Sequence, residues 1–217
     1  MIQHQIIKSG SAGNAVVLDG KILIDAGVPY KALRPHVPAL RLVLTTHAHL
    51  DHLNPSTVRA LAADRPTLRW ACGGWMVPHL LAAGVAKRNI DVCKTGYNYA
   101  YGDVSIRATP LWHDVPNCGW HICLSGRKAF YATDTATLDG ITAPGYDLYL
   151  IEANHGEQEI RERIAAKQAA GEYSHERRAQ YTHLSEEKAL DFIYRNIGPG
   201  GHFVLLHQHV NKEEDDA

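Results

Sequence analysis

The sequence contains few cysteines and no long apolar run. Four cysteines occur among 217 residues, and none has the CxxC spacing, so we expect reduced thiols rather than a disulfide scaffold. No stretch approaches the roughly 18 apolar residues of a membrane helix, and the opening segment, MIQHQIIKSG, lacks the apolar core of a signal peptide. These features predict a cytoplasmic protein without a membrane partner.

An excess of either charge is also lacking. Lys and Arg number 22 and Asp and Glu number 23, so any attraction to a polyanion must be local. Apolar residues make up 45% and charged residues 21%, which is typical of a globular protein, and the length predicts one domain over 1–217. What stands out is the content of 14 histidines, because histidine is the commonest metal ligand in proteins.

Short β-branched runs separated by glycine turns predict a strand-rich fold. The N-terminal third predicts an antiparallel meander, and strands recur in the second half, including two uniformly apolar runs at 148–151 and 203–206 that are typical of a sheet buried on both faces. Asn54 and Pro55 predict the start of a helix over 56–63. The predicted strands are 3–8, 15–18, 21–24, 41–45, 104–108, 120–124, 128–132, 148–151 and 203–206, and the further helices are 78–86, 157–170 and 185–194.

Four metal-ligating side chains occur within six residues, directly after a predicted buried strand. They are His47, His49, Asp51 and His52, in the pattern HxHxDH. Alternate residues of an extended segment lie on one face, so the first two histidines can converge on one ion, while a turn redirects the other two. Imidazole and carboxylate ligands suit zinc, with manganese or iron as alternatives. The competing interpretation is a loop of solvent-exposed histidines.

This motif, together with others along the chain, resembles the metallo-β-lactamase superfamily. The motifs are SGSAGN, ILIDAG, THAHLDH, WHDVPNCGW, YATDT, LIEANH, THLS and LLHQH, and they are most similar to a bacterial and phage branch close to DNA exonucleases and tRNase Z. The resemblance implies an α/β (α+β) fold, an αββα sandwich of two mixed sheets flanked by helices. It places the active site on loops at one edge of the sheets.

The resemblance also implies a site for two divalent ions, for which we expect Zn²⁺, with Mn²⁺ or Fe²⁺ as alternatives. In this family pattern one carboxylate, Asp134, bridges the ions. The last ligand is ambiguous, because LLHQH offers both His207 and His209, and we prefer His207 as the first residue beyond the apolar run. The implied ligands are His47, His49 and His113 for the first ion and Asp51, His52 and His207 for the second.

The implied activity is that of a dinuclear hydrolase in which a hydroxide held between the ions attacks a phosphodiester, possible substrates being DNA or RNA. Besides Asp51, the resemblance marks Glu152 and His183 as catalytic, since this pair in tRNase Z can protonate the leaving oxygen. The competing interpretations are a local ion pair of Glu152 with Arg161 or Arg163, and a His183 that merely neighbours a helix cap. The alternative functions are hydrolysis of a thioester or lactone and metal binding without catalysis.

Two further segments have a structural and a functional interpretation. Asp25 in ILIDAG resembles a family carboxylate that supports the metal loop, but an Asp before Gly27 is also typical of a turn. The glycines of SGSAGN, with Asn14, can offer backbone N–H groups to a phosphate or simply form a hairpin turn.

Overall fold

Two six-stranded sheets form the centre of the computed structural model, which describes residues 2–208. The first sheet begins as the predicted antiparallel meander and continues with parallel strands. Its strands lie side by side in chain order. They are β1 (His4–Lys8), β2 (Ala15–Leu18), β3 (Ile22–Ile24), β4 (Leu42–Leu44), β5 (Arg69–Cys72) and β6 (Ile90–Val92).

The second sheet repeats this plan. Its first four strands are antiparallel, and its last two are parallel to the fourth. The strands are β7 (Asn98–Tyr101), β8 (Val104–Leu111), β9 (Asn117–Leu124), β10 (Arg127–Ala132), β11 (Leu148–Glu152) and β12 (His202–Leu206), again side by side in chain order. Parallel strands end at the same edge of a sheet, so loops that follow them meet there.

Helices cover the outer faces of both sheets. The inner core between the sheets contains residues of each, such as Leu44 and Trp120, and we infer from this shared core that the chain forms one domain. Trp70 packs in the layer beneath α1 to α3, and Phe130 packs against Phe192 of α6. The predicted αββα sandwich is confirmed. The helices are α1 (Tyr30–Leu33), α2 (Pro55–Asp64), α3 (Val77–Ala82), α4 (Glu157–Ala169), α5 (Glu176–Thr182) and α6 (Glu186–Asn196).

The start of α2 fixes where the histidine-rich loop ends. The Asn54 side chain accepts hydrogen bonds from the backbone N–H groups of Ser56, at 3.0 Å, and Thr57, at 3.2 Å, and Pro55 occupies the first helical position. This is the predicted N-cap. The HxHxDH motif therefore lies in the connection between β4 and α2.

Some predicted elements differ in extent or setting. The predicted helix 78–86 ends at Ala82, since Gly84 adopts a left-handed φ of 96°. The prediction that 203–206 is buried on both faces is wrong, because β12 is an edge strand and Phe203 is 39% exposed. The sequence analysis missed β5, β6, β7, α1 and α5, all of them short. None of the helices within residues 2–208 combines the length and hydropathy needed to cross a bilayer.

Candidate metal centre

The seven predicted ligands lie together at one edge of the sandwich, although they come from four separate segments. Three segments follow β4, β8 and β10, and His207 directly follows β12. Four overlapping groups of potential ligand atoms form there, each with its atoms within 4.8 Å of one another. The structure therefore brings together His47, His49, Asp51, His52, His113, Asp134 and His207, while His209 lies outside the described residues.

Three histidines form what we term the first donor set. Nε2 of His47 lies 3.2 Å from Nδ1 of His49, which lies 3.4 Å from Nε2 of His113. His113 is fixed through its other nitrogen, because Nδ1 is 2.9 Å from the carbonyl oxygen of Thr182. Three imidazole nitrogens that face one point match the ligand types of a zinc site.

Asp51, His52 and His207 form the second donor set. Oδ2 of Asp51 lies 3.6 Å from Nε2 of His52 and 3.9 Å from Nε2 of His207. The latter nitrogen is buried and has no hydrogen-bond partner among the described residues. A buried polar atom left unsatisfied costs about 1–3 kcal/mol, so an ion bonded to this nitrogen would remove that cost. The second donor set therefore fits a divalent cation, because its unpartnered nitrogen would gain a bonding partner.

Asp134 lies between the two sets. Its Oδ2 is 2.9 Å from Nε2 of His52, and its Oδ1 is 3.8 Å from Nε2 of both His113 and His207. The side chain of Asn117 holds the Asp134 loop by donating to the carbonyl oxygens of Thr133, at 3.0 Å, and Asp134, at 2.6 Å. One carboxylate thus reaches ligand atoms of both sets, as a bridging ligand requires.

A hydrogen-bond network behind the ligands orients two of the histidines. The buried Asp25 carboxylate lies 2.7 Å from Nδ1 of His52 and accepts from Oγ1 of Thr46 at 2.9 Å. That hydroxyl is in turn 3.0 Å from Nδ1 of His47. Both imidazoles therefore direct Nε2 towards the cluster. This contact favours the supporting role for Asp25, whereas Thr46 was missed, although it directly precedes the motif.

The N-terminal loop supports the second donor set from another side. Nδ2 of Asn14 lies 2.8 Å from Nε2 of His52, and the Asn14 backbone N–H donates to the carbonyl oxygen of Asp51 at 2.6 Å. Oγ of Ser9 accepts from the backbone N–H of His207 at 2.7 Å. The SGSAGN segment is thus more than a hairpin turn, since it fixes two ligand loops.

Burial keeps the first donor set neutral. Desolvation lowers the pKa of His47 far below its usual range and also lowers the pKa of His49 and of His113. A neutral imidazole retains the lone pair that a metal ligand needs. The first set is therefore ready to coordinate without losing protons.

Negative charge dominates the second donor set. Burial lowers the pKa of His207, but neighbouring carboxylates led by Asp51 outweigh it and raise that pKa to about 10. The pKa of His52 is likewise raised despite its burial, because Asp134 and Asp25 flank its ring. Reciprocally, burial raises the pKa of Asp134, but the charge of His52 holds it well below its usual value. A divalent cation would replace the protons held here.

The predicted acid pair also assembles beside the two sets. Glu152 is fully buried, and its Oε1 accepts from Nδ1 of His183 at 2.6 Å. Its Oε2 accepts from the backbone N–H groups of Thr135, at 3.0 Å, and Leu184, at 3.1 Å. Nδ1 of His183 lies 3.5 Å from Oδ1 of Asp134. The carboxylate therefore fixes the histidine ring next to the bridging position.

The competing interpretations of this pair were an ion pair of Glu152 with a nearby arginine and a His183 that only neighbours a helix cap. Arg161 pairs with Glu157 at 3.7 Å, and Arg163 pairs with Glu159 at 2.6 Å, both along α4. Ser185 does cap α6 by accepting from the N–H of Lys188 at 3.2 Å. The helix cap formed by Ser185 and the contact of His183 with Glu152 are compatible, because they involve different residues of the same turn.

Three residues of the site adopt a backbone conformation that L-residues rarely use. Asp25, Asp134 and His207 have φ of 59°, 55° and 52°. Each such residue costs on the order of 1–3 kcal/mol and persists only where its surroundings fix it. Asp25 and His207 directly follow β3 and β12, and Asp134 lies two residues after the end of β10.

A glycine allows the second donor set to lie close to β3. A Cβ added to Gly27 would stand 1.7 Å from the carbonyl oxygen of Asp51 and 2.7 Å from the N of His52. We expect Gly27→Ala to lower the free energy of unfolding by about 1–3 kcal/mol or more through this overlap, measured by thermal unfolding. Gly74→Ala is the matched control, because its nearest neighbour, Val92, is 3.8 Å away. Equal melting temperatures for the two variants would contradict the prediction.

The chain is similar in sequence to a known family and to known proteins. Residues 21–207 match the family model described as a beta-lactamase superfamily domain. A UPF0173 metal-dependent hydrolase of Thermococcus onnurineus is 29% identical over 141 residues, which covers 58% of this chain and 59% of that protein. Exodeoxyribonuclease YycJ of Bacillus anthracis is 23% identical over 175 residues, 74% of this chain and 66% of that protein. The chain thus covers less than two thirds of either relative.

Solved structures agree with the architecture. The metallo-beta-lactamase fold protein YhfI from Bacillus subtilis superposes with a TM-score of 0.75 at 15% identity, covering 97% of this chain and 87% of that one. The short form of human tRNase Z gives 0.67 at 15% identity, covering 96% and 93%. These likenesses confirm the metallo-β-lactamase fold. Because the family model matches most of its length, the chain belongs to the beta-lactamase superfamily.

Proposed function

We propose that this chain is a dinuclear metal-dependent hydrolase of phosphodiesters, acting on DNA or RNA. The observation that carries the proposal is the contact between His183 and Glu152, at 2.6 Å, beside two donor sets that could each hold one ion. A water nucleophile alone would serve many hydrolases. A positioned proton donor is needed where the leaving group is a poor one, such as the alkoxide of a nucleoside.

The residues present fit two ions. The first donor set would hold one ion, the second donor set would hold the other, and Asp134 would contact both. Such ions, when bound, polarise water for attack and neutralise charge on phosphate oxygens. Zn²⁺ suits the five histidines and two carboxylates, and Mn²⁺ or Fe²⁺ are the alternatives.

His183 acts as the proton donor in this proposal. Its Nδ1 is engaged by Glu152, so Nε2 is the nitrogen that faces substrate, and the His183 side chain is 18% exposed. The Glu152 carboxylate holds the ring in this orientation by accepting from Nδ1. His183 can then transfer the Nε2 proton to the departing oxygen. Asp51, as a member of the second donor set, would help to hold the ion that polarises the attacking water.

The relatives support the phosphodiester class. One of them is named an exodeoxyribonuclease, and the fold neighbours include tRNase Z. A competing thioester has a better leaving group, a thiolate, and gains little from an acid. The presence of Glu152 and His183 therefore favours a phosphodiester.

The test combines metal analysis with substrate comparison. Purified protein is loaded with Zn²⁺ or Mn²⁺ and assayed on bis(p-nitrophenyl) phosphate, single-stranded and duplex DNA and RNA, and a thioester. We expect two ions per chain and cleavage of the phosphodiesters. Bound metal with cleavage of the thioester alone would replace the proposal by the acyl alternative, and bound metal with no turnover would support a metal-binding protein.

The identity of the last ligand gives a separate prediction. His207→Ala should lose about one ion per chain, because Nε2 of His207 reaches both Asp51 and Asp134, whereas His209→Ala should retain two. Metal content measured by atomic emission after desalting checks this. The reverse pattern would reassign the ligand to His209 and leave the rest of the site unchanged.

A further inference from the structure

A cleft of about 320 Å³ opens beside the first donor set. His113 forms part of its wall, so a molecule in the cleft would lie one imidazole ring away from the ion position. The remaining lining comes from the loops that follow β8 and β10 and from the C-terminal end of α5. The lining residues are Trp112, His113, Asp114, Ala136, Thr137, Tyr181 and Thr182. We term it the Trp112–Tyr181 cleft.

Two aromatic side chains in this cleft are left largely open to solvent. Trp112 is 69% exposed and Tyr181 is 75% exposed. Large apolar groups exposed beside a candidate active site are typical of ligand or partner contacts. Both residues lie close in sequence to proposed site residues, since Trp112 precedes His113, and Tyr181 lies two residues before His183.

Hydrogen bonds hold the cleft in shape. The backbone N–H of Trp112 donates to Oγ1 of Thr135 at 3.0 Å, and the N–H of Ala136 donates to the carbonyl oxygen of Trp112 at 2.8 Å. Nδ1 of His113 lies 2.9 Å from the carbonyl oxygen of Thr182 and so ties the α5 side to the same loop. The backbones that carry the two aromatic rings are therefore fixed before any ligand arrives.

The charges of the cleft favour an uncharged ligand group. Apart from Tyr181, its ionisable lining residues are His113 and Asp114, and the Asp114 carboxylate pairs with the Arg178 guanidinium. The lining thus offers no lysine or arginine for a phosphate. Its volume lies near the lower end of the roughly 300–1,000 Å³ that small-molecule sites span. A single planar ring system with its sugar fits these properties better than a helix of nucleic acid.

We propose that the Trp112–Tyr181 cleft binds one unpaired nucleobase of the nucleotide that leaves. This inference rests on the proposed function, which places the phosphate at the ions. The side is assigned because the rings of His113 and His183 have centroids 5.3 Å apart, so the cleft lies next to the proton donor. A base in a duplex is already stacked and paired, so this site selects single strands or frayed ends.

The recognition is expected to tolerate any base. Aromatic stacking uses the π-face that all bases share. The cleft hydroxyls are partly engaged within the protein, since Oγ1 of Thr182 donates to the carbonyl oxygen of Arg178 at 2.9 Å and Oγ1 of Thr137 accepts from the N–H of Asp139 at 3.0 Å. The Asp114 carboxylate is engaged by Arg178, so we expect affinity to vary little among bases.

The test uses a ligand that contains no phosphodiester. The fluorescent nucleotide 2-aminopurine riboside 5′-monophosphate is titrated into the metal-loaded protein, and ribose 5-phosphate serves as the ligand without a base. We expect Trp112→Ala and Tyr181→Ala each to weaken nucleotide binding about 5- to 150-fold, with binding of ribose 5-phosphate and metal content unchanged. Tyr194→Ala is the matched control, since Tyr194 is a helical tyrosine with 67% exposure on α6.

Cleavage of a single-stranded oligonucleotide by the wild-type protein is measured in parallel. Equal nucleotide affinity in all variants, or no difference between the nucleotide and ribose 5-phosphate in the wild type, would overturn the cleft proposal whether or not cleavage occurs. Nucleotide binding that depends on Trp112 and Tyr181 without any cleavage would leave the cleft proposal standing and overturn the proposed function.

Discussion

The Asp134→Asn variant is expected to lose nearly all activity and at least one metal ion per chain. The substitution keeps the volume of this buried residue but removes the charge that reaches His52, at 2.9 Å, and lies 3.8 Å from both His113 and His207. Loss of a partner behind a metal ligand already costs about 10- to 100-fold, so loss of a bridging ligand should cost more than about 100-fold. Metal content by atomic emission and turnover on bis(p-nitrophenyl) phosphate give the two measurements.

Asp139→Asn is the matched control for this change, because Asp139 is an exposed aspartate five residues further along the chain. It should retain both ions and full turnover. Two ions and undiminished turnover in Asp134→Asn would remove the bridge from the proposed site. A circular dichroism spectrum equal to that of the wild type shows that lost metal does not reflect unfolding.

His183→Ala is expected to retain both ions and to lose about 10²- to 10⁴-fold in turnover on substrates with alkoxide leaving groups. The loss should be much smaller with p-nitrophenolate as the leaving group, since a stable anion needs little proton donation in the transition state. The ring is held by Glu152 at 2.6 Å, so Glu152→Gln should show the same dependence on leaving group to a lesser degree. Turnover on matched alkyl and p-nitrophenyl esters of one nucleotide measures this dependence on the leaving group.

His202→Ala serves as the control, because His202 is an exposed histidine on β12 and should affect neither substrate. Equal losses on both esters, with metal content intact, would assign His183 to substrate positioning. Loss of an ion would instead identify His183 as a metal ligand. This outcome is a real alternative, because His183 lies in one group of potential ligand atoms with Asp134 and His207.

The contrast between β4 and β7 shows how far local pattern predicts the fold. The first is a buried β-branched run that ends in the HxHxDH motif, and it was predicted within one residue at each end. The second, Asn98–Tyr101, alternates exposed and half-buried residues over only four positions and has no apolar run, so its local pattern is too short to distinguish it from a loop. It forms because β8 offers an unpaired edge. Pairing with a neighbour, which lies outside the segment itself, decided that strand.

The sequence by itself determined the types of ligand and their order along the chain, because histidine and aspartate carry their chemistry wherever they lie. The motif and its later partners were predicted from residue type, spacing and resemblance. Only the tertiary structure decided which nitrogen of each ring faces the cluster, since that depends on contacts with distant residues such as Asp25 and Thr46. It also created the Trp112–Tyr181 cleft, whose walls are 69 residues apart in sequence and meet only when β8 and α5 pack at the same edge.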